Sequence, residues 1–290
     1  MIKQISFYIL YFSAAFIFFA ILCFPQKPVG EKLSNTLSKL SPAISIQMES
    51  ASPILPPGIA GKETTLIFGN NQIPLDTFRL HFSILDLLKP EKKIRFSSTL
   101  LGGVVNGRTE GVSFSRNDFS RLVVNMTGLH IKKFTHRTPG ADMDISFDLT
   151  GNAICQKKNG HPTTKGTMVL TNVITEMKDS IFNQMGIDTL EFSHVEIDFL
   201  TDKQQINILR CIATGNVMTL RLKGRLTPGK NPLAFPEDGT LDLKGFIQPQ
   251  PEYLPKLASI SSMATLFKNN RQQGIPIQIT GSLKAPRISL

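Results

Sequence analysis

The sequence predicts a mainly β protein: a single N-terminal transmembrane helix, then an extended, twisted antiparallel β-sheet or half-barrel with one or two short covering helices. Three observations lead there. Residues 5–24 form an uncharged apolar run. Much of the remaining chain alternates apolar and polar residues, the period that gives a strand one greasy and one wet face. Glycines recur at similar places within those alternating segments.

The apolar run reads ISFYILYFSAAFIFFAILCF, and twelve of its twenty residues are Ile, Leu or Phe. At about 1.5 Å per residue it spans roughly 30 Å, the thickness of a bilayer's hydrocarbon layer. Its Ile, Leu and Phe contribute about −4 to −7 kcal/mol to insertion. Pro25 and Pro28 stop the helix near the interface. A cleaved signal peptide normally has a shorter apolar core and small residues before the cut. Here Leu22 and Phe24 flank Cys23, so the expectation is a retained anchor. Orientation is not legible from charge, because Lys3 precedes the span and Lys27, Lys32 and Lys39 follow it.

The expected organisation is an anchor over 1–28 (span 5–24), a short amphipathic helix with a Pro/Gly-rich connector over 29–61, and a β-rich domain over 62–290. Leu33, Leu37 and Leu40 stand at helical spacing. That helix either lies close to the membrane or packs on the end of the domain. Ala51–Gly61 (ASPILPPGIAG) reads as a break. Beyond it Phe78, Leu80, Phe82 and Ile84 alternate with polar residues. So do Leu122, Val124 and Met126, then Ile145, Phe147 and Leu149, then Val195, Ile197 and Phe199. Gly102, Gly103 and Gly107 read as turn or bulge positions. A weak repeat of alternating apolar residues, a polar residue, Gly and an apolar residue recurs at 145–154, 220–226, 241–247 and 277–283. Its Gly lets a strand bend or a partner approach closely. Helices are expected weakly at 176–185 and more strongly at 252–270, where Leu257, Ile260, Ala264 and Phe267 form a stripe.

Composition restricts the function classes. The chain of 290 residues is 41% hydrophobic, with 20 Phe and no Trp. Its net charge of +10 is spread over scattered pairs such as Lys92-Lys93, Lys132-Lys133 and Lys157-Lys158. No basic helix and no basic–aromatic interleaving stands out, so anionic lipid headgroups fit this charge better than nucleic acid. Cys155 and Cys211 are read either as one disulfide or as two small buried residues.

No catalytic, cofactor-binding or metal-ligating residue is predicted, and no cofactor. The five histidines, His81, His130, His136, His161 and His194, form no zinc pattern. Glu196 and Asp198 share a strand face, as pairs on solvated faces commonly do. Gly224–Asn231 has P-loop spacing but ends in Asn where the magnesium-binding hydroxyl belongs, and Pro232 follows instead of a helix. A Pro-Gly connection between strands explains it better. Asn125-Met126-Thr127 fits a glycosylation acceptor but lies in a strand-like run, so no function is attached to it.

The order of features carries a resemblance. A single span runs into Phe24-Pro25, and the Leu-spaced segment and Pro56-Pro57-Gly58 follow. Gly-punctuated strands, the 252–270 segment and the closing ITGSLKAPRISL (279–290) complete it. This order resembles the type II secretion system protein N (GspN) family, and the closing strand resembles the ends of AsmA-type proteins. The resemblance implies a single-pass protein of the bacterial inner membrane with its β-domain in the periplasm. It implies a non-catalytic accessory scaffold of the secretion apparatus, with other secretion subunits as partners. The alternative is an AsmA-like lipid-binding or lipid-transfer module holding phospholipid in an apolar groove. One short helix is too small to cover all the apolar strand faces, which favours some open groove.

Overall fold

The structure is a computed structural model. It describes residues 11–12, 15, 18–19, 22–40, 44–55, 57–68, 71–83, 92–112, 119–138, 141–158, 161–178, 189–202, 205–229, 239–253, 274–283 and 285–289. The expected span 5–24 therefore lies largely outside the described residues. Among those described, no helix is long and apolar enough to cross a membrane. Most of the 252–270 segment also lies outside them; Pro251–Tyr253 forms one 3-10 turn.

The chain divides into two compact units, Met1–Leu100 with Glu110–Asp118, and Leu101–Thr109 with Phe119–Leu290. The sequence had suggested one β-domain over 62–290. The first unit contains helix α1 (Gln26–Leu40) and strands β1 (Ile44–Ile54), β2 (Gly58–Phe68), β3 (Asn71–Leu75), β4 (Thr77–Phe82) and β5 (Lys92–Leu100). Its strands run in the order β1-β2-β4-β5, with β3 also paired to β2, all antiparallel.

The Leu spacing read as amphipathic belongs to α1, which begins at Gln26, earlier than expected. The Val29 amide donates to the Pro25 carbonyl at 3.1 Å. Pro28 sits in the first turn, where its missing N–H breaks no helical bond. Of the two expected roles for this helix, the structure shows packing on the domain. Val29, Leu33 and Leu37 pack against a core of Met48, Ala51 and Phe78. Ser34 Oγ accepts the Met48 amide at 3.1 Å. Gly30 makes the approach possible, since a Cβ there would lie 3.0 Å from Ser50 Cα.

The break expected at Ala51–Gly61 is narrower than read. Ala51–Ile54 ends β1 and Gly58–Gly61 opens β2, and the two pair from Ile54↔Gly58 outward. Proline did not end β1 at Pro53 because this strand lies at the sheet's edge, where a missing donor costs no ladder bond.

The second unit holds most of β6 (Gly103–Val112) and all of β7 (Arg121–Thr138), β8 (Ala141–Lys158), β9 (His161–Lys178), β10 (Thr189–Asp202), β11 (Gln205–Gly215), β12 (Met218–Thr227), β13 (Thr240–Pro249), β14 (Ile275–Ser282) and β15 (Pro286–Ser289). These strands are neighbours in chain order, and β7 to β15 pair antiparallel. Among the described residues no pairing closes the sheet on itself. The mainly β, open antiparallel expectation is met here. The repeat segments fall in β8, β12, β13 and β14, the last three side by side. Of the glycines read as turns, Gly102 is in a turn, whereas Gly103 and Gly107 lie inside β6.

The weak helix expected at 176–185 starts as strand. Glu176–Lys178 complete β9, because β8 reaches back to Ala141 and offers them partners, Asp142↔Lys178 among them. Residues 179–188 lie outside the described residues.

Candidate functional site

The strand register of the second unit sorts side chains onto two faces. Directly paired residues of an antiparallel sheet point the same way, about 4.5–5.5 Å apart. One row runs Met126↔Gly151↔Met168↔Ile197↔Cys211↔Leu222↔Gly245↔Ile277, from β7 to β14. The row beside it runs Leu129↔Leu149↔Leu170↔Val195↔Ala213↔Leu220↔Ile247↔Ile275. A third, through Ala153, Phe199, Ile208, Leu243 and Ile279, is equally apolar. Eight strands at about 4.8 Å spacing make this face roughly 34 Å wide.

Among the described residues the strands of the second unit belong to one sheet. Among the described residues the second unit has no helix longer than one turn and no second sheet. Leu129, Ala213, Leu222, Ile275 and Ile277 are buried, while Met126, Met168, Ile197, Leu220 and Leu243 keep part of their surface. The surface that the half-buried members keep is worth about 25 cal/mol per Å² on further burial.

Two glycines of the repeat keep the face close-packed. At Gly245 a Cβ would meet the Arg221 carbonyl and lie 2.9 Å from Leu222 Cα. At Gly224, where φ is +150°, it would meet the Asp242 carbonyl and lie 2.8 Å from Leu243 Cα. The close approach expected of the repeat glycine is realised at both.

The opposite, outer face of the sheet carries Glu196, Asp198 and Arg210, and also the exposed apolar side chains of Ile174, Leu209 and Phe246. Glu196 and Asp198 do share a strand face, but Arg210 of β11 holds both. Its Nε donates to Asp198 Oδ2 at 3.0 Å, and its Nη2 donates to Glu196 Oε1. Thr167 Oγ1 donates to Asp198 Oδ1 at 2.8 Å. These hydrogen bonds, Thr167's first and then Arg210's, hold the Asp198 carboxyl below the usual carboxylate range. A carboxyl held below that range, as Asp198 is, lacks the raised pKa that a general acid needs. The stability that Asp198 gains is present above the carboxylate range of the unfolded chain and is lost as pH falls through its folded pKa. Arg210→Ala is therefore expected to lower the melting temperature more at pH 7 than at pH 3. An equal drop at both would show that the guanidinium acts by packing.

Sequence reasoning missed a second outer-face cluster. His130 Nδ1 is hydrogen-bonded to Asp148 Oδ1, and Asn172 Nδ2 donates to Asp148 Oδ2 at 2.8 Å. The Asn172 bond, followed by His130, lowers the Asp148 pKa. Asp148 faces His130 across a β7–β8 register that bulges between Met126 and Leu129, so alternation alone could not pair them. His136 shares β7, but a second register shift lies between Ile131 and Phe134, and its side chain lies outside the described residues.

The remaining sequence candidates resolve structurally. Cys155 in β8 and Cys211 in β11 are both free. Three strand spacings put them about 14 Å apart or more, beyond disulfide reach. Burial pushes the Cys211 thiol pKa up. Gly224–Thr227 lies inside β12, which pairs with β13 from Met218↔Pro249 to Thr227↔Thr240. The P-loop lookalike therefore has strand where a phosphate loop would be, as the Pro-Gly connection reading expects. Asn125 lies within β7 opposite Asn152. Among the described residues no group of three or more His, Cys, Asp or Glu is placed to hold a metal ion. No family model matches the chain, and neither a curated protein nor a solved structure matches it.

Proposed function

We propose that this protein is a non-catalytic, membrane-tethered lipid-binding module of the bacterial envelope, whose second unit accommodates acyl chains on its apolar sheet face. The observation that carries this reading is the uninterrupted set of apolar cross-strand rows from β7 to β14, with no second layer over them among the described residues. An acyl chain laid across such rows replaces water with hydrocarbon and needs no polar partner. The tether is residues 5–24. Tyr11, Phe12, Phe18, Phe19 and Leu22, which are helical, are 60% to 71% exposed, as lipid-facing side chains of a spanning helix are. Placement in the inner membrane with the strand-rich part in the periplasm follows from the resemblance to AsmA-type and secretion proteins.

The test is mass spectrometry of the full chain extracted in mild detergent. Phospholipid is expected to co-purify stoichiometrically. The double substitution Ile197→Thr/Leu243→Thr keeps β-propensity but makes the face polar, and is expected to remove most of that lipid. Gln248→Thr on the outer face is expected to leave it. Lipid retention unchanged by the double substitution sinks the reading.

A second reading is an accessory scaffold of the type II secretion apparatus. It is favoured by the sheet's last edge: β15 covers only Gln278–Gly281 of β14, leaving Ile275–Ile277 without a strand partner on that side among the described residues. An open edge suits strand addition by another subunit. A deletion strain that secretes normally but has altered envelope lipids would exclude this role.

A further inference from the structure

We infer that the outer face of the second unit carries a separate site for one anionic phospholipid headgroup, centred on Lys223, Lys244 and Phe246. A depression of about 770 Å³ lies there, across β11 to β15. Its construction begins with a bulge. Ile208 pairs with Gly224 and Cys211 with Leu222, so Leu209 and Arg210 together face Lys223. That extra residue leaves Leu209 51% exposed, and Phe246, between Arg221 and Pro276, is 47% exposed. Around these two apolar side chains the cations converge. Lys223 and Lys244 are directly opposite each other, and Arg221 is two residues from Lys223 and directly opposite Phe246.

Like charges directly opposite each other destabilise a sheet. Among the described residues none of these three cations has an ion-pair partner. Arg210 is different, because Glu196 and Asp198 already hold it. The nearest carboxylate along β13, Asp242, is opposite Arg225 and accepts from Gln278 Nε2 at 3.4 Å. The depression thus combines uncompensated positive charge with exposed hydrocarbon. An inorganic anion leaves Leu209 and Phe246 in water, and a neutral amphiphile leaves the lysine pair repelling. An anionic phospholipid satisfies both: its phosphodiester lies between Lys223, Lys244 and Arg221, and its first acyl carbons lie on Phe246 and Leu209. The volume is within the usual range for small-molecule sites. This inference rests on the lipid-module reading only for the source of the ligand; the site is on the face opposite the apolar rows.

The test uses the full chain in a neutral detergent with a photoreactive phosphatidylglycerol, its crosslinks mapped to single residues. Crosslinks at Phe246 and Leu209 are expected, and K223Q/K244Q is expected to lower them roughly tenfold or more, leaving those at Ile197 and Leu243 unchanged. A phosphatidylcholine probe is expected to label Ile197 and Leu243 but not Phe246. Labelling of Phe246 that ignores the lysine substitutions, or is equal with phosphatidylcholine, overturns the inference. So does its displacement by an acidic peptide but not by unlabelled phosphatidylglycerol. Absence of crosslinks at Ile197 and Leu243 alone would instead count against the apolar-face reading, so the two failures are distinguishable.

Discussion

Gly245→Val is expected to be among the most destabilising single substitutions in the second unit. Gly245 sits in β13 between Leu222 and Ile277, which are 8% and 6% exposed. A Cβ there would collide with the Arg221 carbonyl, a backbone atom that cannot swing aside as a side chain can. Relief requires β12 and β13 to separate, which breaks ladder hydrogen bonds at the middle of the pair. A loss of about 3 kcal/mol is expected, at the upper end of ordinary overpacking. In a unit of this size that lowers the melting temperature by roughly 6–12 °C. Gly245→Ala meets the same carbonyl and is expected to lose a large part of that. Gln248→Val, exposed on the same strand, is expected to stay within about 0.5 kcal/mol. Calorimetry of the three variants checks the ordering, and a Gly245→Val protein as stable as Gln248→Val would refute the packing argument.

That glycine also marks how much the sequence revealed. Recurrence of Gly in alternating segments was enough to expect a close approach, because few other reasons keep Gly inside a strand. The partner was not legible: nothing local in LDLKGFI points to the Arg221 carbonyl. The same limit applies throughout. Period-two alternation identified strands around Phe78, Val124, Phe147 and Ile197, and one face of each as apolar. It could not show that those faces align into rows, since alignment depends on register, which bulges such as that between Ile208 and Cys211 reset. The strands are also longer than the legible pieces. Each of β7, β8 and β9 has 18 residues, about 60 Å at strand rise, and register shifts inside all three hide their continuity. Outer-face chemistry was least legible. Glu196 and Asp198 stand out in the sequence because they are two apart; Arg210 and the His130–Asp148–Asn172 cluster do not, because only strand pairing brings their members together. The pairing of Lys223 with Lys244 was invisible for the same reason.

Phe78→Ala is expected to release α1 from the first unit. Phe78 is 4% exposed and forms, with Met48 and Ala51, the core on which Val29, Leu33 and Leu37 rest. Truncating a buried Phe removes its transfer energy and leaves a cavity, together about 3–5 kcal/mol. The consequence for α1 is larger than for the strands. Its 15 residues include Gly30 and Pro28, and an isolated helix of that length is marginal in water even with a favourable composition. Its stability comes from the apolar stripe that Phe78 supports, from the Met48–Ser34 hydrogen bond and from the close approach at Gly30. Hydrogen exchange is therefore expected to speed up across 26–40 in Phe78→Ala before it does in β2, whose ladder with β1 runs from Ile44↔Phe68 to Ile54↔Gly58. Unchanged protection of 26–40 would mean that α1 is held by something other than this core. The position of α1 gives the result functional weight. It starts two residues after Phe24, the last residue of the proposed tether, so under that proposal its docking would set how much slack lies between membrane and sheet. With α1 released, the first unit gains a linker of fifteen residues. In the full chain reconstituted into bilayers, cleavage between 26 and 40 by added protease is expected to rise in proportion to the loss of exchange protection.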